Sequence, residues 1–209
     1  MQIAKRIGML LFIVGIASGG AMIGKGIYIK TKALVAQVLI ERAWDKQKMS
    51  QDKLAPWPWA DTYPAAKLTF DENRPLWVLS GANARNLAFG PTLQMNTAEP
   101  GRRGNVVIFG HNDTHFSDLL SARKGDIMAL ETRSGTNISY KVAEIKVVHE
   151  SDTKWIENSG EDRLTLVTCY PSNVINSNQR LVVIATPVIQ GEDQVGELSS
   201  VVSIRSGWM

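Results

Sequence analysis

From Ala65 onward the chain is built of short runs rich in β-branched and aromatic residues, and no long helical period separates them. The runs are Lys67-Leu68-Thr69-Phe70, Leu76-Trp77-Val78-Leu79, Val106 to Phe109, Ile127 to Leu130, Ile138 to Val148, Leu164 to Thr168 and Leu181 to Thr186. Glycines at 81, 90, 101, 104, 125, 135 and 160 punctuate them, which is the pattern of strands joined by turns. Without helices of crossover length between strands, α/β winding is disfavoured, and the pattern predicts an all-β sandwich or closed barrel. Only Ser117-Asp118-Leu119-Leu120 reads as a helical turn.

The first third of the chain is different. Ile7 to Gly24 is eighteen residues without a charge, preceded by Lys5 and Arg6 and followed by Lys25. That length suffices for a tilted membrane helix, so residues 1–30 are expected to form a membrane anchor. The competing reading is a cleaved signal peptide, with Ala17-Ser18-Gly19 as the cleavage site; the apolar run continues past it through Ala21-Met22-Ile23, which favours the anchor. Residues 31–64 are read as an amphipathic helix and a linker, the helix over Ala33 to Met49 with Leu34, Val35, Val38, Leu39 and Trp44 among charges. A linker follows in which Pro56-Trp57-Pro58-Trp59 and Tyr63-Pro64 break any helix. The strand-rich domain spans 65–190, and 191–209 is a C-terminal extension.

Composition excludes several classes. Lys and Arg are scattered at a net charge of +3, with no basic run interleaved with aromatics, so no nucleic acid partner is expected. The single cysteine rules out an internal disulfide and a cysteine-rich metal knuckle. No dense acidic loop suggests a calcium site, so neither metal nor cofactor is expected.

That cysteine, Cys169, ends the run Thr165-Leu166-Val167-Thr168-Cys169. His111 follows the run Asn105 to Gly110, and Arg180 opens the next run, eleven positions after the cysteine. A thiol is a useful nucleophile only as thiolate, and a histidine can take its proton. A guanidinium is always charged and suits a developing oxyanion or a substrate carbonyl. Each residue also has a plainer reading: Cys169 as a buried small hydrophobe, Arg180 as a salt bridge at a strand start. His115, in the same loop as His111, is either a substrate contact or a solvated loop residue. His149 ends a charged strand and reads as surface.

Gly104 to His111, then Thr165-Leu166-Val167-Thr168-Cys169-Tyr170-Pro171, then Arg180-Leu181-Val182-Val183 resembles the sortase family in motif order and spacing, from Ala65 to about Ile189 and behind an N-terminal anchor. The Tyr-Pro after the cysteine resembles sortases of Gram-negative bacteria. The resemblance implies an eight-stranded closed β-barrel with short helices. It implies a membrane-anchored cysteine transpeptidase that cleaves a Leu-Pro-x-Thr-Gly-like C-terminal sorting signal and joins the substrate protein to an amine acceptor. Cys169 would be the nucleophile that forms a thioester. His111 would pair with the thiol and protonate the leaving amine, and Arg180 would hold the oxyanion or the substrate backbone. Thr168 would line the substrate groove; Leu166 and His115 are further candidate substrate contacts. The expected location is the cytoplasmic membrane, single-pass, with the catalytic domain outside the cytoplasm (periplasmic in a Gram-negative cell).

Two alternatives stay open at this level. A cysteine peptidase that releases its substrate to water shares the same thiol–imidazole pair. A membrane-tethered binding domain would keep an inert cysteine. An L,D-transpeptidase fits less well, because that family resembles an arrangement with arginine two residues after the cysteine, where this chain has Pro171.

Overall fold

In the computed structural model, residues 2–70, 74–157, 160–172, 174 and 176–188 are described. A long helix, α1 (Gln2–Ser50), precedes eight strands: β1 (Pro64–Phe70), β2 (Leu76–Ser80), β3 (Thr92–Leu93), β4 (Asn105–Phe109), β5 (Ile127–Thr132), β6 (Asn137–His149), β7 (Arg163–Tyr170) and β8 (Gln179–Pro187). One four-residue helix, α2 (Ala84–Leu87), lies between β2 and β3, and 3-10 turns lie at Asp118–Ser121 and Lys154–Ile156. All seven runs read from the sequence are strands. The addition is β3, whose two residues are too few to carry a period.

The strands close into a barrel in the order β1-β2-β3-β4-β7-β8-β6-β5. Two neighbouring pairs, β2–β3 and β4–β7, are parallel and the rest antiparallel. Closure leaves no sheet edge with unpaired backbone groups, which is how a small all-β domain avoids edge-to-edge association.

The barrel interior is filled by Leu68, Val78, Ile108, Leu164, Leu166 and Val183, all fully buried. Val107, Val167, Val182 and Ile184 point the other way and pack under Trp155 and Ile156. Strands covered on both faces read as continuous apolar runs instead of alternating ones, which is why β4, β7 and β8 stand out in the sequence. Buried Asn105 is fully used: its amide donates to the carbonyls of Trp155 and Glu157, both at 3.0 Å, and its oxygen accepts from Thr165 at 2.7 Å. A buried amide so satisfied stabilises the sheet, where an unpaired one would cost about 1–3 kcal/mol.

The C-terminal half of α1 lies on the barrel. Ala36, Ile40, Ala43, Trp44 and Gln47 are buried, a stripe at helical spacing that faces the domain. Leu34, Val35 and Val38, expected on the apolar face, are exposed. The buried stripe is richer in alanine than a hydrophobicity pattern would select, because small residues let the helix approach the sheet. Trp44 packs on Trp77 with ring centroids 5.7 Å apart. Gln47 donates to the Pro64 carbonyl at 2.9 Å and accepts from the Leu54 amide at 3.0 Å. Lys48 and Lys67 both pair with Glu131, and their charges hold its carboxyl below the usual range against the opposing effect of burial. The Pro-Trp segment wraps the domain: Trp57 meets Phe89 edge-on at 5.1 Å.

Two expectations at the termini are treated differently by the structure. Among the described residues, no helix is long and apolar enough to cross a membrane, so the membrane helix expected over 1–30 is not supported here. The side chains of residues 1–7, 10, 11 and 13, which carry much of that apolar stretch, lie outside the described set. The extension expected over 191–209 also lies outside the described residues.

Candidate active site

The site follows from strand direction. β4 and β7 are parallel neighbours, with Phe109 opposite Val167, so both strands end at the same rim of the barrel. His111 leaves the end of β4 and Cys169 lies near the end of β7. β8 is antiparallel to β7 and therefore starts at that rim, placing Arg180 directly opposite Cys169. Residues separated by 58 and 11 positions in sequence are thereby gathered by topology alone.

Cys169, His111, Arg180 and Thr168 line one groove of about 330 Å³, with Ala82, Leu87 and Phe109 among its apolar parts and Gln94 adding an amide. Cys169 is free and exposed. Alternation along β7 explains this: Leu164 and Leu166 enter the core while Cys169 faces outward.

Three contacts hold the His111 loop against β7. The Gly110 amide donates to the Val167 carbonyl at 3.1 Å. The Thr168 hydroxyl donates to the Gly110 carbonyl at 2.7 Å. The Asn112 side-chain amide donates to the Cys169 carbonyl at 2.9 Å. Gly110 itself is required by packing: a Cβ there would sit 2.6 Å from the ring of Phe116, which is fully buried. The glycine before the histidine thus lets an aromatic ring close on the backbone and sets where the imidazole begins.

Arg180 is half-buried and oriented. Its Nη1 donates to the carbonyls of Ser177 at 2.7 Å and Gln179 at 2.9 Å, and its Nη2 meets Glu150 Oε2 at 2.6 Å. A guanidinium has five N–H donors, so these three bonds leave two. Both sequence readings of Arg180 coexist: it forms a salt bridge and it lines the groove.

The remaining expected residues separate. Thr168 lines the groove, but it is 2% exposed and its hydroxyl is committed to Gly110. Leu166 is fully buried in the barrel core and does not line the groove. The expectation that it touches substrate is corrected by the alternation of β7, which turns it inward. His115 is not in the Cys169 groove. It lies in a neighbouring cavity of about 680 Å³ shared with His111, Trp77, Phe89 and the α1 residues Leu34 and Gln37. Burial and the charge of His111 hold His115 below the ordinary histidine range, opposed by Asp113. His149, exposed, bonds Ser151 at 2.8 Å.

Asn112 and Glu150 were not singled out by the sequence for the site. Asn112 adjoins His111, and its amide was the available signal. Glu150 reaches Arg180 only because β6 pairs with β8, a register that the sequence does not display. Among the described residues, no group of three or more His, Cys, Asp or Glu side chains could hold a metal ion.

Comparison with known proteins agrees with this geometry. A sortase-domain family model matches residues 70–188. Sortase D of Bacillus subtilis (strain 168) is 32% identical over 113 residues, covering 53% of this chain and 57% of that protein. Sortase A of Listeria monocytogenes is 32% identical over 98 residues, covering 45% of this chain and 43% of that one. The chain thus spans about half the length of these curated relatives. A solved Sortase D5 transpeptidase from Clostridium perfringens has a similar fold, with a TM-score of 0.60 at 22% identity, covering 74% of this chain and 99% of that one. With a family match across more than half its length and the barrel to go with it, the chain belongs to the sortase family.

Proposed function

We propose that this chain is a cysteine transpeptidase that cuts a C-terminal sorting signal and transfers the substrate protein to an amine. The observation that carries this reading is the shared groove of Cys169, His111 and Arg180 at one barrel rim, in a chain of the sortase family, whose members are cysteine transpeptidases.

The chemistry runs in two halves. The Cys169 thiolate attacks the carbonyl carbon of the Thr–Gly bond in a Leu-Pro-x-Thr-Gly-like signal, and the electron pair moves to oxygen. The two N–H donors left on Arg180 stabilise that oxygen, a contribution that is often the largest in acyl transfer. The intermediate collapses by breaking the C–N bond, and His111 protonates the departing amine. The thioester then meets an acceptor amine, whose proton passes to His111 as the Cys169 thiolate leaves. Splitting one difficult step into two lets a positioned amine compete with water.

Residues 1–30 are proposed to anchor the enzyme in the cytoplasmic membrane with the barrel outside the cytoplasm. The uncharged stretch from Ile7 to Gly24 supports this reading.

The deciding experiment incubates the protein with a Leu-Pro-x-Thr-Gly peptide, with and without triglycine. An amide-linked product that disappears in Cys169→Ala is expected, with the variant still folded by circular dichroism. Cleavage to the free acid alone, whatever the triglycine concentration, would assign a peptidase. Turnover that survives Cys169→Ala would end the catalytic assignment.

A further inference from the structure

The barrel has a second built cavity, at the rim opposite Cys169. Arg180 opens β8, and Pro187 at its other end pairs with Tyr140 near the start of β6; the β5–β6 turn therefore lies at the far rim. There a cavity of about 390 Å³ is lined by Lys53, Tyr63, Glu99, Arg102, Thr132 and Arg133, among others. Its size is within the roughly 300–1,000 Å³ of small-molecule sites.

Its charge is unbalanced. Lys53, Arg102 and Arg133 face a single carboxylate, Glu99, which lies 3.7 Å from Lys53 in an exposed pair. Among the described residues, neither Arg102 nor Arg133 forms an ion pair. Glu131, next to Thr132 in the chain, is occupied by Lys48 and Lys67.

Arg133 supplies an independent indication. Its Nη1 is buried and has no hydrogen-bond partner, a costly state for a charged donor unless something else satisfies it. The guanidinium sits 5.7 Å from the Tyr63 ring, and Lys53 sits 5.1 Å from the same ring. Tyr63 also holds Lys53 above its ordinary titration range by a side-chain hydrogen bond, so Lys53 keeps its charge beside it. The hydroxyls of Thr132 and Ser134, also lining the cavity, bond each other at 2.8 Å. Gly101 has φ of +87°, and a Cβ there would meet the Thr132 methyl at 2.9 Å. The glycine lets the loop carrying Arg102 close onto the turn carrying Arg133.

We infer that this far-rim cavity binds a phosphate group, with Arg133 and Arg102 as its principal ligands and Lys53 completing the charge. Two excess positive charges match a phosphate monoester, which carries about −1.5 to −2 at neutral pH, better than a single carboxylate. Planar guanidiniums bind phosphate oxygens in pairs.

The experiment titrates the full chain with inorganic phosphate at constant ionic strength, by calorimetry and by thermal unfolding. Saturable binding and a phosphate-dependent rise in Tm are expected. Arg133→Gln weakens binding by roughly ten- to hundredfold, the cost of losing a charge-assisted hydrogen bond. Arg102→Gln, at an exposed position, weakens it without touching the core and so covers the case in which Arg133→Gln fails to fold. Acetate at the same ionic strength should not compete. Sedimentation of the full chain with phosphatidylcholine vesicles, with and without phosphatidylglycerol, identifies the source: extra pelleting on the phosphatidylglycerol vesicles that both variants lose assigns a lipid headgroup, and equal pelleting on the two vesicles assigns a soluble phosphate ester. No saturable phosphate binding, equal binding by both variants, or acetate competing on equal terms would overturn the inference. Cys169 chemistry lies at the other rim, so the transpeptidation assay stands or falls separately.

Discussion

The Thr168 hydroxyl donates to the carbonyl of Gly110 at 2.7 Å, tying the residue before the cysteine to the residue before the histidine. One buried bond thereby couples the ends of two parallel strands. Thr168→Val keeps the shape but leaves the Gly110 carbonyl unpaired, so urea unfolding should show a loss of about 1–3 kcal/mol. The same variant should slow transpeptidation, and Thr168→Ser should restore both. If Thr168→Val leaves turnover intact while stability drops, the bond supports the fold and not the alignment of the site.

Gly110 is fixed by Phe116, whose ring would lie 2.6 Å from any Cβ placed there. Gly110→Ala is expected to cost roughly 1–3 kcal/mol through overpacking. Combining it with Phe116→Leu should recover part of that loss in the same denaturant titration. Strict additivity of the two would show that the clash is not the cause.

Glu150 holds the Arg180 guanidinium at 2.6 Å from half-exposed positions. Glu150→Gln should change stability by only ~0–1 kcal/mol, the range of surface ion pairs. Its effect on kcat should be larger, about tenfold, equivalent to ~1.4 kcal/mol of transition-state stabilisation. An unchanged kcat at unchanged stability would reduce the pair to a surface contact.

His115 titrates below its ordinary range in the folded chain, chiefly through burial and then through the charge of His111. The unfolded chain therefore takes up the proton more readily. Stability is fully present above the unfolded value of about 6.5 and is lost as pH falls through the folded one. His115→Gln should flatten that part of the acid-side decline in Tm measured between neutral and mildly acidic pH. An identical Tm–pH profile in the variant would remove His115 from the acid sensitivity.

The local composition of the chain determined a great deal. Doubly covered strands leave continuous apolar runs, so β4, β7 and β8 and the residues at their ends were visible without coordinates. The Gly-His, Thr-Leu-x-Thr-Cys and Arg motifs were visible for the same reason, each being contiguous. What the sequence could not display was anything that depends on register. The inward turn of Leu166, the separation of His115 from the Cys169 groove and the reach of Glu150 to Arg180 all follow from which strands pair and at what offset. So does the cationic cavity at the far rim, whose Lys53, Arg102 and Arg133 come from three separate segments. A strand's own residues set its propensity and its two faces. Only closure of the barrel decides which face looks inward and which distant side chains share a rim.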